Sequence, residues 1–188
     1  MKELIGLVTV VLVFVSIIPY IIDIFRNKTK PHMFTWMIWT VTTSLTFFGQ
    51  WQKGAGAGSW TTATAGLLVV FIALISIKKG SKDITKFDVI MLTAALLAIF
   101  PWMLTKDPTL SVVMLTAIDV SGFFPTIRKT IKHPESETFI SYVINAIRHS
   151  LSIVALANYN LATYIYPACV AIMNIVVISI ILKSRFKK

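Results

Sequence analysis

The chain has 188 residues, 56% hydrophobic and only 14% charged, and its 18 lysines and arginines against 8 acids give a formal charge of +10. Soluble domains average about 25% charged residues, so a chain this apolar cannot make a water-facing surface. Disorder needs low hydrophobicity and is excluded with it, and a disulfide scaffold fails because Cys169 stands alone. What remains is an all-α integral membrane protein with basic loops.

Seven apolar segments follow one another, at residues 4–25, 33–50, 57–77, 87–105, 109–128, 138–157 and 160–182. Each is long enough, at about 1.5 Å per residue, to cross a hydrocarbon core of about 30 Å. Met1 to Ser16 resembles a signal peptide, with Lys2 before an apolar run. No small-x-small cleavage site follows, however, and Ile17-Ile18-Pro19-Tyr20 prolongs the run, so the first segment is expected to be a retained helix. Gly54, Gly56 and Gly58 precede Ser59-Trp60 and read as a tight outer turn. They lack the Gly-Lys-Ser/Thr ending of a phosphate loop and the Gly-x-Ser-x-Gly of a nucleophile elbow. Asp23 beside Arg26, and Asp88 just past Lys86, read as solvated helix-end charges, and Glu135 and Glu137 share a loop with Lys132 and His133.

Alternating spans sort the cations. One face collects fourteen of the 18, from Arg26 through Lys78, Lys86 and Lys129 to the carboxyl-terminal lysines; the other collects Lys2, Lys53 and Lys106, and Arg148 falls inside the sixth segment. The positive-inside rule then puts the amino terminus outside and the carboxyl terminus in the cytoplasm, in the plasma or inner membrane. Adding or dropping a span in the middle would scramble the split. Seven spans divide as 3+1+3: residues 1–79 as a first three-helix repeat, 80–106 as a linker helix and 107–188 as a second repeat, with the two triplets forced parallel. Parallel repeats are one of the common transporter plans, with the solute site near the midplane between them.

Sliding the chain against itself by 106 residues superposes Pro19 on Pro125, Ile21 on Ile127, Trp36 on Tyr142, Ile38 on Ile144, Ser44-Leu45 on Ser150-Leu151 and Ala65 on Ala171. The shared layout is an apolar helix with proline near its cytoplasmic end, a basic loop, then a helix opened by Phe34-Thr35 or Ile140-Ser141. The run from Pro19 through Arg26, Lys28 and Thr29 to Phe34-Thr35 resembles the signature of the PQ-loop and SWEET (MtN3) transporter superfamily, and Pro125 through Arg128 and Lys132 to Ser141 is a looser second copy. Two features depart from that pattern. The glutamine that names the family is Tyr20 in one copy and Thr126 in the other, and helices 2 and 6 lack the internal prolines of the sugar branch. Vitamin transporters of the PnuC type share a similar 3+1+3 plan and stay open as relatives. A proline removes one helical hydrogen bond, so Pro19 and Pro125 are candidate hinges, or else simple helix-end markers.

The sixth segment carries Tyr142, Asn145, Arg148 and His149 within roughly 120° of one helical face, and the second carries Trp36, Trp39, Thr42 and Thr43 in the same columns. Facing each other, these would offer stacking surfaces and hydrogen-bond donors to a small polar solute. The alternative for the tryptophans is an interfacial aromatic belt. Asp119 and Arg148 lie at similar depth, where a lone charge is costly, so they are expected to form an ion pair with His149 beside it. Such a pair either fixes the packing of two helices or gates the path, and proton coupling through Asp119 is what the family resemblance adds. Asn174 in the seventh segment resembles a substrate-binding asparagine of SWEET relatives, though its partner under the shift is Leu68.

These readings make Trp36, Trp39, Thr43, Tyr142, Asn145, His149 and Asn174 candidate solute contacts, and Asp119 and Arg148 candidate gating or coupling groups. The expected function is a facilitator or proton-coupled carrier for a sugar, amino acid or vitamin, with a non-transporting scaffold or receptor as the alternative. No enzyme is expected. His32, His133 and His149 are far apart, Ser150 points away from His149, no His-Glu-x-x-His occurs, and the seventh span has no buried lysine for a retinal Schiff base. No cofactor, metal or nucleic acid is called for. Seven spans already make a full pair of triplets, so a homo-oligomer is allowed but not required.

Overall fold

The computed structural model describes residues 1–27, 31–80, 84–121 and 139–185, together with 123, 127, 130 and 131. The helices are α1 (Lys2–Phe25), α2 (Met33–Gln52), α3 (Trp60–Lys79), α4 (Lys86–Leu97), α5 (Phe100–Thr105), α6 (Thr109–Ser121), α7 (Phe139–Val154) and α8 (Leu161–Arg185), with a 3-10 turn at Gly56–Ser59 leading into α3. Among the described residues four stretches are long and apolar enough to cross a membrane: Lys2–Phe25, Gly56–Lys79, Lys86–Thr105 and Leu161–Ser184. This is a helical membrane protein. Leucines and valines of α1, such as Leu4, Val11 and Val15, stand more than half exposed, as side chains facing lipid do. α2 matches those spans in length, but its threonines and Gln50 lower its hydropathy. Its polarity is turned inward, with Thr42, Thr46 and Gln50 fully buried.

The fourth segment is not the continuous helix that its sequence suggests. Pro101 has no N–H to offer the Leu97 carbonyl, and the helix breaks at Ala98–Ile99 into α4 and α5. Asp88 is likewise more than a solvated charge. It closes a capping box, accepting from the Thr85 N–H at 2.8 Å while its own N–H donates to the Thr85 hydroxyl at 3.3 Å.

Two trios organise the packing. α3 packs against both α1 and α2, and α8 against both α6 and α7. Between the trios, α1 meets α7, α2 meets α6 and α8, and α3 meets α7, while α4 lies along α2 and α6. A cluster of Ile24, Trp36, Val69, Ile72 and Ala73 fills the first trio, with Tyr20 tilted against Trp36 at 5.3 Å between ring centres.

The ends of the helices that carry Lys2, Lys53 and Lys106 are sewn together by a seam. The Gly54 and Gly56 φ angles of 75° and 56° turn the chain after α2 so that its carbonyls point across to the second trio. Ala157 N–H donates to the Ala55 carbonyl at 2.9 Å and Asn158 N–H to the Gly54 carbonyl at 3.1 Å. Asn160 Nδ2 donates to the Lys53 carbonyl at 3.1 Å, and Lys2 Nζ to the Leu156 carbonyl at 2.6 Å. Gly58 sits so close to α7 that an added Cβ would lie 2.7 Å from the Ser152 carbonyl oxygen. The expected simple turn is thus also the junction of the two trios. Beside it, Lys53 pairs with Asp107 at 2.6 Å. The hydrogen bonds from Lys53 and then Thr109 hold the Asp107 carboxyl down at about 2.

A proline makes one more stitch. Pro167 lies inside α8 and cannot bond to the carbonyl one turn back, at Thr163. That carbonyl instead accepts from Gln50 Nε2 of α2 at 3.2 Å.

Candidate functional site

Below the seam a cavity of about 350 Å³ opens between the two trios. α2 contributes Trp36, Trp39 and Thr43, α7 contributes Tyr142, Asn145, Arg148 and His149, α6 contributes Asp119, and α8 contributes Asn174. All nine candidate contact and coupling residues therefore line one space. The helical spacing explains the clustering: positions three and four apart share a face, so 36, 39 and 43 on one helix and 142, 145 and 149 on the other each form one stripe.

The aromatic side is ordered by ring contacts. Trp36 is buried and meets Trp39 edge-on, with centres 5.1 Å apart and planes at 86°. Packed against Tyr20 and facing the cavity, Trp36 belongs to the interior and not to an interfacial belt. Trp39 also reaches the cavity while staying partly exposed.

The polar side departs from expectation. Arg148 makes no ion pair with Asp119. It spends one guanidinium nitrogen, Nη2, on Asn145 Oδ1 at 2.8 Å and His149 Nε2 at 3.1 Å. Asp119 has the Thr42 hydroxyl and the Tyr166 phenol as its polar neighbours. The reason is topological. Among the described residues α6 and α7 are not a closely packed pair, whereas α8 rests on both, and its Tyr166 interacts with the acid and with the base. The Tyr166 ring meets the His149 ring edge-on, 5.8 Å between centres.

Several polar atoms at this site are buried with no hydrogen-bond partner in the protein: Asp119 Oδ1, Arg148 Nε and Nη1, and His149 Nδ1. Asn174 differs from these, since its Nδ2 donates to the Val170 carbonyl of its own helix at 2.8 Å. Sequence reasoning missed Tyr166, and with it Ser16, Ile17, Ala65, Val69, Phe123 and Val170. Tyr166 could have been found: it lies at i, with Val170 at i+4 and Asn174 at i+8, on the stripe already marked by the asparagine.

Of the hinge candidates, Pro19 sits inside an unbroken α1, two residues from the cavity-lining Ile17. Pro125 lies outside the described residues, as do Lys28, Thr29, Arg128, Lys132, Glu135 and Glu137. Among the described residues no group of three or more His, Cys, Asp or Glu is placed to hold a metal. Comparison with protein-family models, with curated proteins and with solved structures found no match.

Proposed function

We propose that this chain is a carrier for a small polar solute, built on the PQ-loop and SWEET plan of two parallel three-helix repeats joined by a linker helix, and working by alternating access. The observation that carries this reading is the cavity itself. It lies between two trios, is lined by polar and aromatic groups, and is bounded at one end by a hydrogen-bonded seam. Membrane interiors tolerate such groups where they face a solute path.

The repeat has support from the lining. Under the shift of 106 residues, Ile17 pairs with Phe123, Trp36 with Tyr142, Trp39 with Asn145 and Thr43 with His149, and both members of every pair line the cavity. The trios also match in packing: the third helix of each rests on the first two, and the contact of α1 with α7 mirrors that of α2 with α6. On this reading the seam faces outward, the basic loops face the cytoplasm of a plasma or inner membrane, and one chain holds a whole site. Pro19 and Pro125 then serve as hinges, and Asp119 and Arg148 as gating or coupling groups.

Counterflow in proteoliposomes, run across sugars, amino acids and vitamins, tests the reading. Uptake of one class that saturates and is driven by trans-loaded solute is expected. A folded protein that moves no solute would leave the scaffold or receptor alternative.

A further inference from the structure

The two charged groups of the cavity are held apart, and each presents unused bonding capacity. Arginine can only donate, so the contact between Arg148 Nη2 and His149 Nε2 makes Nε2 the acceptor. A neutral imidazole that accepts at Nε2 carries its proton at Nδ1. His149 Nδ1 is therefore a donor, and it is buried without a partner in the protein, as are Arg148 Nε and Nη1. Arg148 is 8% exposed and His149 3%. One side of the cavity is thus lined by residues with three unmet donor nitrogens and one full positive charge. On the α6 side of the same cavity, Asp119 Oδ1 is an unmet acceptor on a carboxylate.

Each common class of small solute can be set against these two walls. A neutral polyol brings hydroxyls but leaves both charges uncompensated. A cationic amine answers Asp119 and leaves Arg148, while a simple acid does the reverse. Leaving one buried charge without a counter-charge is the expensive outcome. We infer that the cavity binds a small zwitterion, with an anionic carboxylate-type group against Arg148 and His149 and an ammonium against Asp119. The walls of Trp36, Trp39 and Tyr142 take its apolar or aromatic remainder. Neutral α-amino acids are the simplest solutes of that design, and the volume, near the low end of small-molecule sites, fits a single one. The assignment rests on the carrier reading only for the consequence of binding, not for the binding itself.

Equilibrium binding and thermal shift on the full chain in detergent separate the possibilities. The probes are the neutral L-α-amino acids, with phenylalanine compared against phenethylamine, 3-phenylpropanoate and glucose. At least one amino acid is expected to bind, and removal of either its ammonium or its carboxylate should weaken binding by about thirtyfold or more. In Asp119→Asn the amino acid loses its advantage over its deaminated analogue, and in Arg148→Gln over its decarboxylated one. The analogue series on the parent chain stands even where a variant fails to fold. Binding of glucose or of a singly charged analogue as tightly as any amino acid overturns the inference, and so does the absence of binding by every amino acid. Counterflow of a sugar with no amino-acid binding sinks this inference and keeps the carrier; amino-acid binding without counterflow does the opposite.

Discussion

The seam and the cavity both bring polar groups together between the same two trios, yet they differ in how far those groups meet hydrogen-bond partners. In the seam, donors meet acceptors across the junction: Ala157 and Asn158 reach Ala55 and Gly54, Lys2 reaches Leu156, and Gln50 reaches Thr163. In the cavity, four polar atoms of Asp119, Arg148 and His149 go unmet, all on titratable side chains, against the single Gln50 Oε1 among the seam residues. An unmet buried group costs about 1–3 kcal/mol, where a made bond contributes about 1. The seam therefore holds the fold, and the cavity is kept against the interest of stability. Groups retained at such a cost are suited to a visitor and not to the scaffold.

Substitutions at the two regions should then have opposite signatures. The largest effect is expected at Gly58. A Cβ there would stand 2.7 Å from the Ser152 carbonyl oxygen and 2.9 Å from Leu156 Cα, which are backbone atoms that cannot rotate away. Gly58→Ala should lower stability by about 1–3 kcal/mol, visible as a drop in the melting temperature of the purified protein. Gly66→Ala, inside α3 with a Cβ that meets only Thr43 Cγ2 at 3.5 Å, should melt with the parent or up to about 1 kcal/mol above it. Equal melting of the two would mean that the seam is not tightly packed.

Arg148→Met comes next, and it separates stability from function. It removes two unmet nitrogens and a buried charge but leaves the Asn145 Oδ1 and His149 Nε2 acceptors unmet, so melting should stay within about 1 kcal/mol of the parent, while on the carrier reading solute uptake is lost. A clear fall in melting temperature would make Arg148 a structural residue. Lys2→Met keeps the aliphatic stem but removes the donor to the Leu156 carbonyl and the cation over the Tyr159 ring. A loss of about 1 kcal/mol in a melt is expected.

The smallest effect belongs to Asp107→Asn, because the Lys53 pair is largely solvated. Its carboxyl is held at about 2, below its ordinary value, so its contribution is present above the unfolded value near 4 and fades as pH falls through about 2. The gap between variant and parent in melting temperature should therefore be constant from pH 5 to 8. A gap that changes within that window would point to a different titrating group.

Much of this arrangement was legible in the sequence, for a physical reason. The 3.6-residue period places Trp36, Trp39 and Thr43 on one stripe and Tyr142, Asn145 and His149 on another, and polar stripes in membrane helices turn inward. Periodicity acts within one helix and says nothing about which helices touch. The expected pairing of Asp119 with Arg148 failed at that point, because similar depth on two helices does not bring their side chains together. Tyr166 of α8, a helix packed on both α6 and α7, interacts with each of the two charged groups instead. The break at Pro101 and the capping role of Asp88 were readable from local rules, but apolarity dominated the reading of that segment. The importance of Gly58 was not readable at all, since its partner backbone lies nearly a hundred residues away in sequence.

The bond between Gln50 and the Thr163 carbonyl has a consequence for how the seam can part. A helix that lacks a proline keeps its carbonyls for itself, and two such helices adhere through apolar side chains, whose exposure to water costs roughly 25 cal/mol per Å². Here Pro167 leaves a carbonyl unused, and α2 docks on it with an amide. On the carrier reading, water takes over both ends of that bond when the trios separate, and the same holds for the backbone bonds at Gly54 and Ala55. The junction is a fastener that solvent can undo and remake one bond at a time, so it can be firm at rest and still cheap to open.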